Sequence, residues 1–189
     1  RLFVVNGAQG SVDILDLINP AAPVLLGTLT SADLGSGLGG ANSIAIYNGI
    51  VAIAVEAAVK QDNGSVIFYR ASDLTRLTAV TVGALPDMLT FTPDGSRIVV
   101  ANEGEPNSYG QPTSVDPAGS ISVISVPGLT PTATSISPVV TAITFDSYNT
   151  QQDALRAAGV RLFGPGATVA QDLEPEYVTI SPDGRTAFV

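Results

Sequence analysis

The feature that most constrains this chain is a recurring unit: an alternating apolar strand, a Pro-Asp-Gly turn, and a second apolar strand. It occurs as Thr90-Phe91-Thr92-Pro93-Asp94-Gly95 followed by Arg97-Ile98-Val99-Val100. It occurs again as Thr179-Ile180-Ser181-Pro182-Asp183-Gly184 followed by Thr186-Ala187-Phe188-Val189. The two prolines stand 182 − 93 = 89 positions apart, and Pro86, Asp87, Thr90 and Val100 then fall on Pro175, Glu176, Thr179 and Val189. A third turn, Asn48-Gly49, lies 95 − 49 = 46 positions before Gly95. Asn-Gly between two apolar runs is the strongest short hairpin signal. A step of about 45 residues that carries four strands is the pattern of a β-propeller blade.

The rest of the chain fills in those blades. Leu2-Phe3-Val4-Val5, Ser11-Val12-Asp13-Ile14-Leu15-Asp16-Leu17 and Val24-Leu25-Leu26-Gly27-Thr28-Leu29 read as three strands. The glycine-rich stretch 35–40 lacks the Lys of a phosphate-binding loop and reads as a flexible connection. Ser43-Ile44-Ala45-Ile46-Tyr47, Ile50-Val51-Ala52-Ile53-Ala54-Val55, Ser65-Val66-Ile67-Phe68-Tyr69 and Leu77-Thr78-Ala79-Val80-Thr81-Val82 form a four-stranded meander. Asp62-Asn63-Gly64 is taken as its second turn, which also makes the glycosylation triplet Asn63-Gly64-Ser65 read as turn chemistry.

A further meander uses Met88-Leu89-Thr90-Phe91, Arg97-Ile98-Val99-Val100, a strand within residues 119–126, and Val139-Val140-Thr141-Ala142-Ile143-Thr144. Residues 149–159 break the pattern. Thr150 with Asp153 resembles a capping box, Ala154, Leu155 and Ala158 form an apolar stripe, and Gly159 stands where a helix ends.

The expectation is an all-β chain. It is read as a β-propeller fragment of about three to four four-stranded blades with one short inserted helix. Its divisions are 1–40 (end of a blade), 41–83 (a full blade), 84–170 (a full blade with the helical insertion) and 171–189 (start of the next). The chain opens on Arg1, not Met, and stops within a strand, so it reads as part of a longer protein.

Composition narrows the function. The chain has 17 acidic and 8 basic residues, a net charge of -9, which repels nucleic-acid phosphates and anionic membrane surfaces. It has no Cys and no His, which excludes thiol nucleophiles, Ser-His-Asp triads and ordinary structural zinc sites within these residues. No nucleotide or haem motif occurs. No apolar run reaches membrane-spanning length.

Acidic chains do attract hard cations. In an up-and-down meander alternate loops share a face. Asp172-Leu173-Glu174-Pro175-Glu176 leads into a first strand, and Asn102-Glu103-Gly104-Glu105-Pro106 follows a second strand. Both should therefore open on one face, together with Asp87 and Asp116. The candidate metal ligands are Glu103, Glu105, Glu174 and Glu176, and Ca²⁺ is the cation expected. The alternative is a set of solvated loop charges. The Pro-Asp-Gly turns belong to the other face and are structural: Pro presets φ, Asp caps the turn, and Gly takes positive φ.

Several stretches carry a resemblance. Val99-Val100-Ala101-Asn102-Glu103-Gly104-Glu105-Pro106, Val115-Asp116-Pro117-Ala118-Gly119-Ser120-Ile121-Ser122-Val123-Ile124, the run 157–166 and Asp172-Leu173-Glu174-Pro175-Glu176-Tyr177 resemble the bacterial choice-of-anchor I proteins. Some of these carry alkaline-phosphatase-like labels or are related to mesenchyme-specific cell-surface glycoproteins. The match is dense from about Met88 onward. Residues 177–184 are also similar to the repeat of surface-layer and lactonase-like propellers.

The resemblance implies a secreted or surface-attached propeller, found outside the cell, in the periplasm or on the cell surface. It implies no catalytic assignment for Glu103, Glu105, Glu174 or Glu176. The first functional expectation is a non-catalytic module that binds an unknown protein, glycan or small molecule at the propeller face, stabilised by Ca²⁺. The alternative is a metal-dependent phosphoesterase using the acidic loops as ligands. Against that, only Arg161 and Arg185 lie near the acidic unit to steady a transferring phosphoryl group. A lactonase is weaker still, because those propellers lean on His.

Overall fold

The computed structural model describes all residues from Arg1 to Val189. Its strands group into antiparallel sheets that follow the chain in order. The first holds β1 (Leu2–Asn6), β2 (Ser11–Asp16) and β3 (Val24–Leu29). The second holds β4 (Leu38–Tyr47), β5 (Ile50–Ala57), β6 (Asn63–Arg70) and β7 (Arg76–Ala84). The third holds β8 (Pro86–Phe91), β9 (Arg97–Asn102), β10 (Ser120–Ser125) and β11 (Val139–Thr144). A short pair, β12 (Thr179–Ile180) with β13 (Ala187–Phe188), completes the series. Every pairing joins consecutive strands, so each sheet is a meander.

Strand alternation stacks these sheets face to face. All of Ile50 to Val55 is buried, although a half-buried strand would expose every second residue. The reason is that β5 has a core on each side. Ile50, Ala52 and Ala54 join Phe68, Leu89, Ile98, Val100 and Ile124 between the second and third sheets. Val51, Ile53 and Val55 join Phe3, Val12, Ile14 and Ile67 between the first and second. A smaller cluster of Val99, Ile121 and Val178 links the third sheet to the β12–β13 pair. The leading strands sit side by side. The Asn42 side chain donates to the Pro86 carbonyl (3.1 Å), and Leu89 N donates to Ser43 Oγ (3.3 Å).

The repeated turn is a structural repeat down to its hydrogen bonds. Gly95 N donates to Thr92 O (2.8 Å) and Gly184 N to Ser181 O (2.9 Å). In each, the first residue's hydroxyl donates to the turn aspartate, Thr92 to Asp94 and Ser181 to Asp183, both at 2.6 Å. Gly95 has φ +69°, and a Cβ there would run into the Tyr47 ring. Gly95→Ala is therefore expected to cost about 1–2 kcal/mol, because it combines left-handed strain with displacement of a movable side chain. Urea denaturation measures this loss, and an unchanged midpoint would refute it.

Three local expectations need correction. The second turn of the second sheet runs through residues 58–62, closed by Asp62 N to Val59 O (2.9 Å), so Asn63 and Gly64 already lie in β6. Gly64 marks a close approach there: a Cβ would meet the Val55 carbonyl and the Pro86 ring. Leu38, Gly39 and Gly40 of the glycine-rich stretch belong to the bulged start of β4, and Leu38 pairs with Ala57. The helical insertion has two parts, a 3-10 helix Asp146–Gln151 and an α-helix Gln152–Ala157, with no capping hydrogen bond from Thr150. Its Ala154 and Ala158 are exposed, so no apolar stripe is buried, though Gly159 (φ +93°) does end it. Two further one-turn helices, Ser31–Leu34 and Val169–Asp172, carry the capping boxes Thr30/Asp33 and Thr168/Gln171.

Candidate functional site

The acidic residues gather at one end of the stacked sheets. Antiparallel pairing of β8 with β9 puts Pro86 opposite Asn102, so Asp87 and Glu103 leave the same sheet end. Two backbone bonds hold the loop down: Glu103 N to Leu85 O (2.9 Å) and Gly104 N to Ala84 O (3.2 Å). The 103–119 loop then meets the helix Val169–Asp172 and the strand connection after it. Gly119 N donates to Ala170 O (2.9 Å), and the Gln171 side chain donates to Asp116 O (2.8 Å). The turns at 92–95 and 181–184 lie at the opposite end, where hairpin residue Asn48 donates to Leu129 O (2.9 Å).

Asn102 anchors the start of this loop. It is fully buried, and its amide nitrogen donates to Ser122 Oγ (3.0 Å) and Ser120 Oγ (3.2 Å). This fixes where Glu103 leaves the sheet. Burial pushes the Glu103 carboxyl up to about 7, helped by the charges of Glu105, Asp87, Glu176 and Glu174. All four expected ligands therefore share one electrostatic neighbourhood. Asp87 is raised by burial and by Glu176. Glu174 is raised by burial, against the pull of its hydrogen bond from Tyr109 (2.7 Å), and then by Asp172, Glu105 and Asp116.

Sharing a face does not make these four glutamates a finished metal centre. No three acidic side chains stand close enough to hold one ion between them. Glu176 is exposed, while Glu174 turns aside to Tyr109, whose ring stacks on Phe163 at 6.1 Å between centroids. Arg161 lies over the Phe163 ring, 4.6 Å from its centroid. The two ion pairs, Lys60–Glu56 and Arg70–Asp73, lie elsewhere.

Asp116 and Asp172 fall outside the expected ligand set, yet both line a cavity of about 60 Å³ beside Glu174. Asp172 is only 7% exposed, and its Oδ1 accepts from Gly164 N (2.9 Å). Its burial depends on the Thr168/Gln171 capping box that folds the preceding turn, a signal that is present in the sequence.

The Glu103 shift gives a pH dependence. The folded state holds this proton more tightly than an unfolded chain, so stability should fall as pH rises from about 4.5 to about 7. It should then level off. After allowance for solvent screening the effect is about 1 kcal/mol. Glu103→Gln should flatten that part of a stability profile measured by urea denaturation. A profile with the wild-type slope would show that the proton lies elsewhere.

The choice-of-anchor I domain model matches residues 1–189, the whole chain, and the chain belongs to that family. The match carries no support for the alkaline-phosphatase-like or glycoprotein-like labels. No curated protein matches the chain. Membership points to a cell-surface-associated domain. No helix is long and apolar enough to cross a membrane.

Proposed function

We propose that this choice-of-anchor I domain is an extracellular interaction module whose sheets are successive blades of a β-propeller. The supporting pattern is the face-to-face stacking of meanders in chain order, with leading strands side by side. The divisions are those expected from sequence, 1–40 (end of a blade), 41–83, 84–170 (carrying the helical insertion) and 171–189 (start of the next), with the second moved to 38–84 by the ends of β4 and β7. In such a ring the loops before first strands and after second strands crowd at one mouth.

The observation that carries the functional reading is the convergence of Glu103, Glu105, Glu174, Glu176 and Asp87 at one sheet end, where burial, helped by the charges of the other four, raises the Glu103 carboxyl. Such a face suits a ligand with positive charge: a basic protein segment, an amino sugar, or Ca²⁺. Ca²⁺ drawn to this face would also relieve the repulsion among its carboxylates. The test is binding of basic peptides and amino-sugar glycans to immobilised protein, with and without Ca²⁺, beside a Glu103→Gln/Glu105→Gln/Glu176→Gln variant. Binding that weakens with salt and falls at least about tenfold in the variant is expected. Binding indifferent to these changes overturns the reading. The same protein should not turn over p-nitrophenyl phosphate. Metal-dependent turnover lost in Glu174→Gln/Glu176→Gln would replace the module with a phosphoesterase.

A further inference from the structure

We propose that Asp116 and Asp172 form a discrete Ca²⁺ site in the cavity between the 103–119 loop and the helix Val169–Asp172. It is separate from Glu103, Glu105 and Glu176, with Glu174 at its edge, and it holds the two loops together whatever the acidic face binds.

The starting point is an unmet bonding requirement. Asp172 is 93% buried (7% exposed), yet its Oδ2 has no hydrogen-bond partner. Asp116 Oδ1, also shielded from solvent, has none either. Both residues line the same cavity of about 60 Å³. A shielded carboxylate oxygen without a partner loses its hydration and gains nothing in exchange, and the loss is greater when the group is charged. No Lys or Arg forms an ion pair with either residue. Two shielded, unpartnered oxygens at one small polar cavity are the arrangement that a cation completes.

The dimensions and donors favour Ca²⁺. A water molecule occupies about 30 Å³ in the liquid, so the cavity admits an ion with one or two waters. Ca²⁺ accepts six to eight oxygens in flexible geometry, with neutral hydroxyls, carbonyls and waters completing a few carboxylates. Here Ser114 and Tyr109 contribute hydroxyls to the lining, and Glu174 a third carboxylate. Only two carboxylates need to ligate, which agrees with the absence of any close group of three. Mg²⁺ demands near-ideal octahedral geometry and dehydrates reluctantly, which an irregular loop-lined cavity does not suit. Asp172 is preset for the task, since Gly164 N and the helix turn fix its Oδ1 and leave Oδ2 for the cavity.

The experiment compares the full chain with Asp116→Asn, Asp172→Asn and Glu103→Gln/Glu105→Gln variants, by calorimetric CaCl₂ titration and by thermal melting in chelator and in Ca²⁺. Wild type should bind one Ca²⁺, with Mg²⁺ at least about tenfold weaker, and should melt higher in Ca²⁺. Each Asp→Asn variant should lose at least about tenfold in Ca²⁺ affinity. In chelator each should melt at or above wild type, because a neutral amide removes a shielded charge. In Asp172→Asn the side-chain amide oxygen can still accept from Gly164 N. That reversal also shows the variants are folded. The glutamate pair variant should keep its Ca²⁺ affinity within about threefold. Three results overturn the site: no Ca²⁺ binding by wild type, Asp→Asn variants that bind as wild type does, or loss confined to the glutamate variant. The last would move the ion to the proposed binding face and leave the interaction reading intact.

Discussion

A Gly119→Val chain is expected to lose about 3 kcal/mol of folding stability and to separate its two acidic loops. Gly119 is buried where the 103–119 loop crosses the connection after Asp172. A Cβ there would collide with the Leu173 carbonyl oxygen and stand 2.7 Å from the Pro175 ring. Neither obstacle is a flexible side-chain tip, so relief requires the whole 172–176 connection to move. That movement breaks the Gly119 N to Ala170 O bond and carries Asp172 away from Asp116. The expected cost therefore lies at the upper end of the overpacking range of about 1–3 kcal/mol. Urea denaturation measures it, and the Ca²⁺-dependent rise in melting temperature should vanish in the same variant. A variant with wild-type midpoint and wild-type Ca²⁺ response would mean that the loops do not depend on this crossing.

Gly104 points the same way. It takes φ +72°, and a Cβ there would stand 2.8 Å from the backbone of Ala118 and Gly119. The Glu103-Gly104-Glu105 motif thus owes its middle residue to backbone crowding. Its outer residues supply the charge. Sequence reasoning singles out the two glutamates and assigns the glycine no role. The structure makes the glycine the reason the loop folds back on itself.

That contrast explains what was legible from sequence. Hairpins with local turn chemistry were legible: Asn48 and Gly49 both take positive φ, and Tyr47 pairs with Ile50 as the Asn-Gly signal requires. The shared acidic face was legible too, because alternation of loops follows from a meander without coordinates. Glycines were ambiguous. Gly64 follows Asp62-Asn63 as a turn glycine would, yet it lies in a strand pressed against Val55 and Pro86. A glycine signals either a positive φ or a close approach, and one sequence does not separate the two. The buried Asp172 was legible only as far as its Thr168/Gln171 capping box, for another reason. Its burial depends on Gly164, Thr168 and the crossing at Gly119, which are distant in sequence or individually bland.

The largest effect is expected from Phe68→Ala, a loss of about 3–5 kcal/mol. Phe68 is fully buried, and it lies in the core shared by the second and third sheets. Its chain neighbour Ile67 points into the other core, shared with the first sheet. Because β6 alternates, Phe68→Ala opens a cavity on one side only. The predicted consequence is specific. The contact between the second and third sheets weakens, while the packing around Val12, Ile14 and Ile53 keeps its lining. Amide hydrogen exchange should show faster opening for β8 and β9 than for β2, alongside the fall in urea midpoint. Equal acceleration in β2 would mean that the stacked sheets open as one cooperative unit. In that case the acidic face would be held by the whole stack and not by its nearest interface. The Asn42 and Ser43 bonds to β8 favour the first outcome, since they tie the acidic end of the third sheet to β4. Loosening that interface should therefore disturb the Glu103 end before it reaches the first sheet.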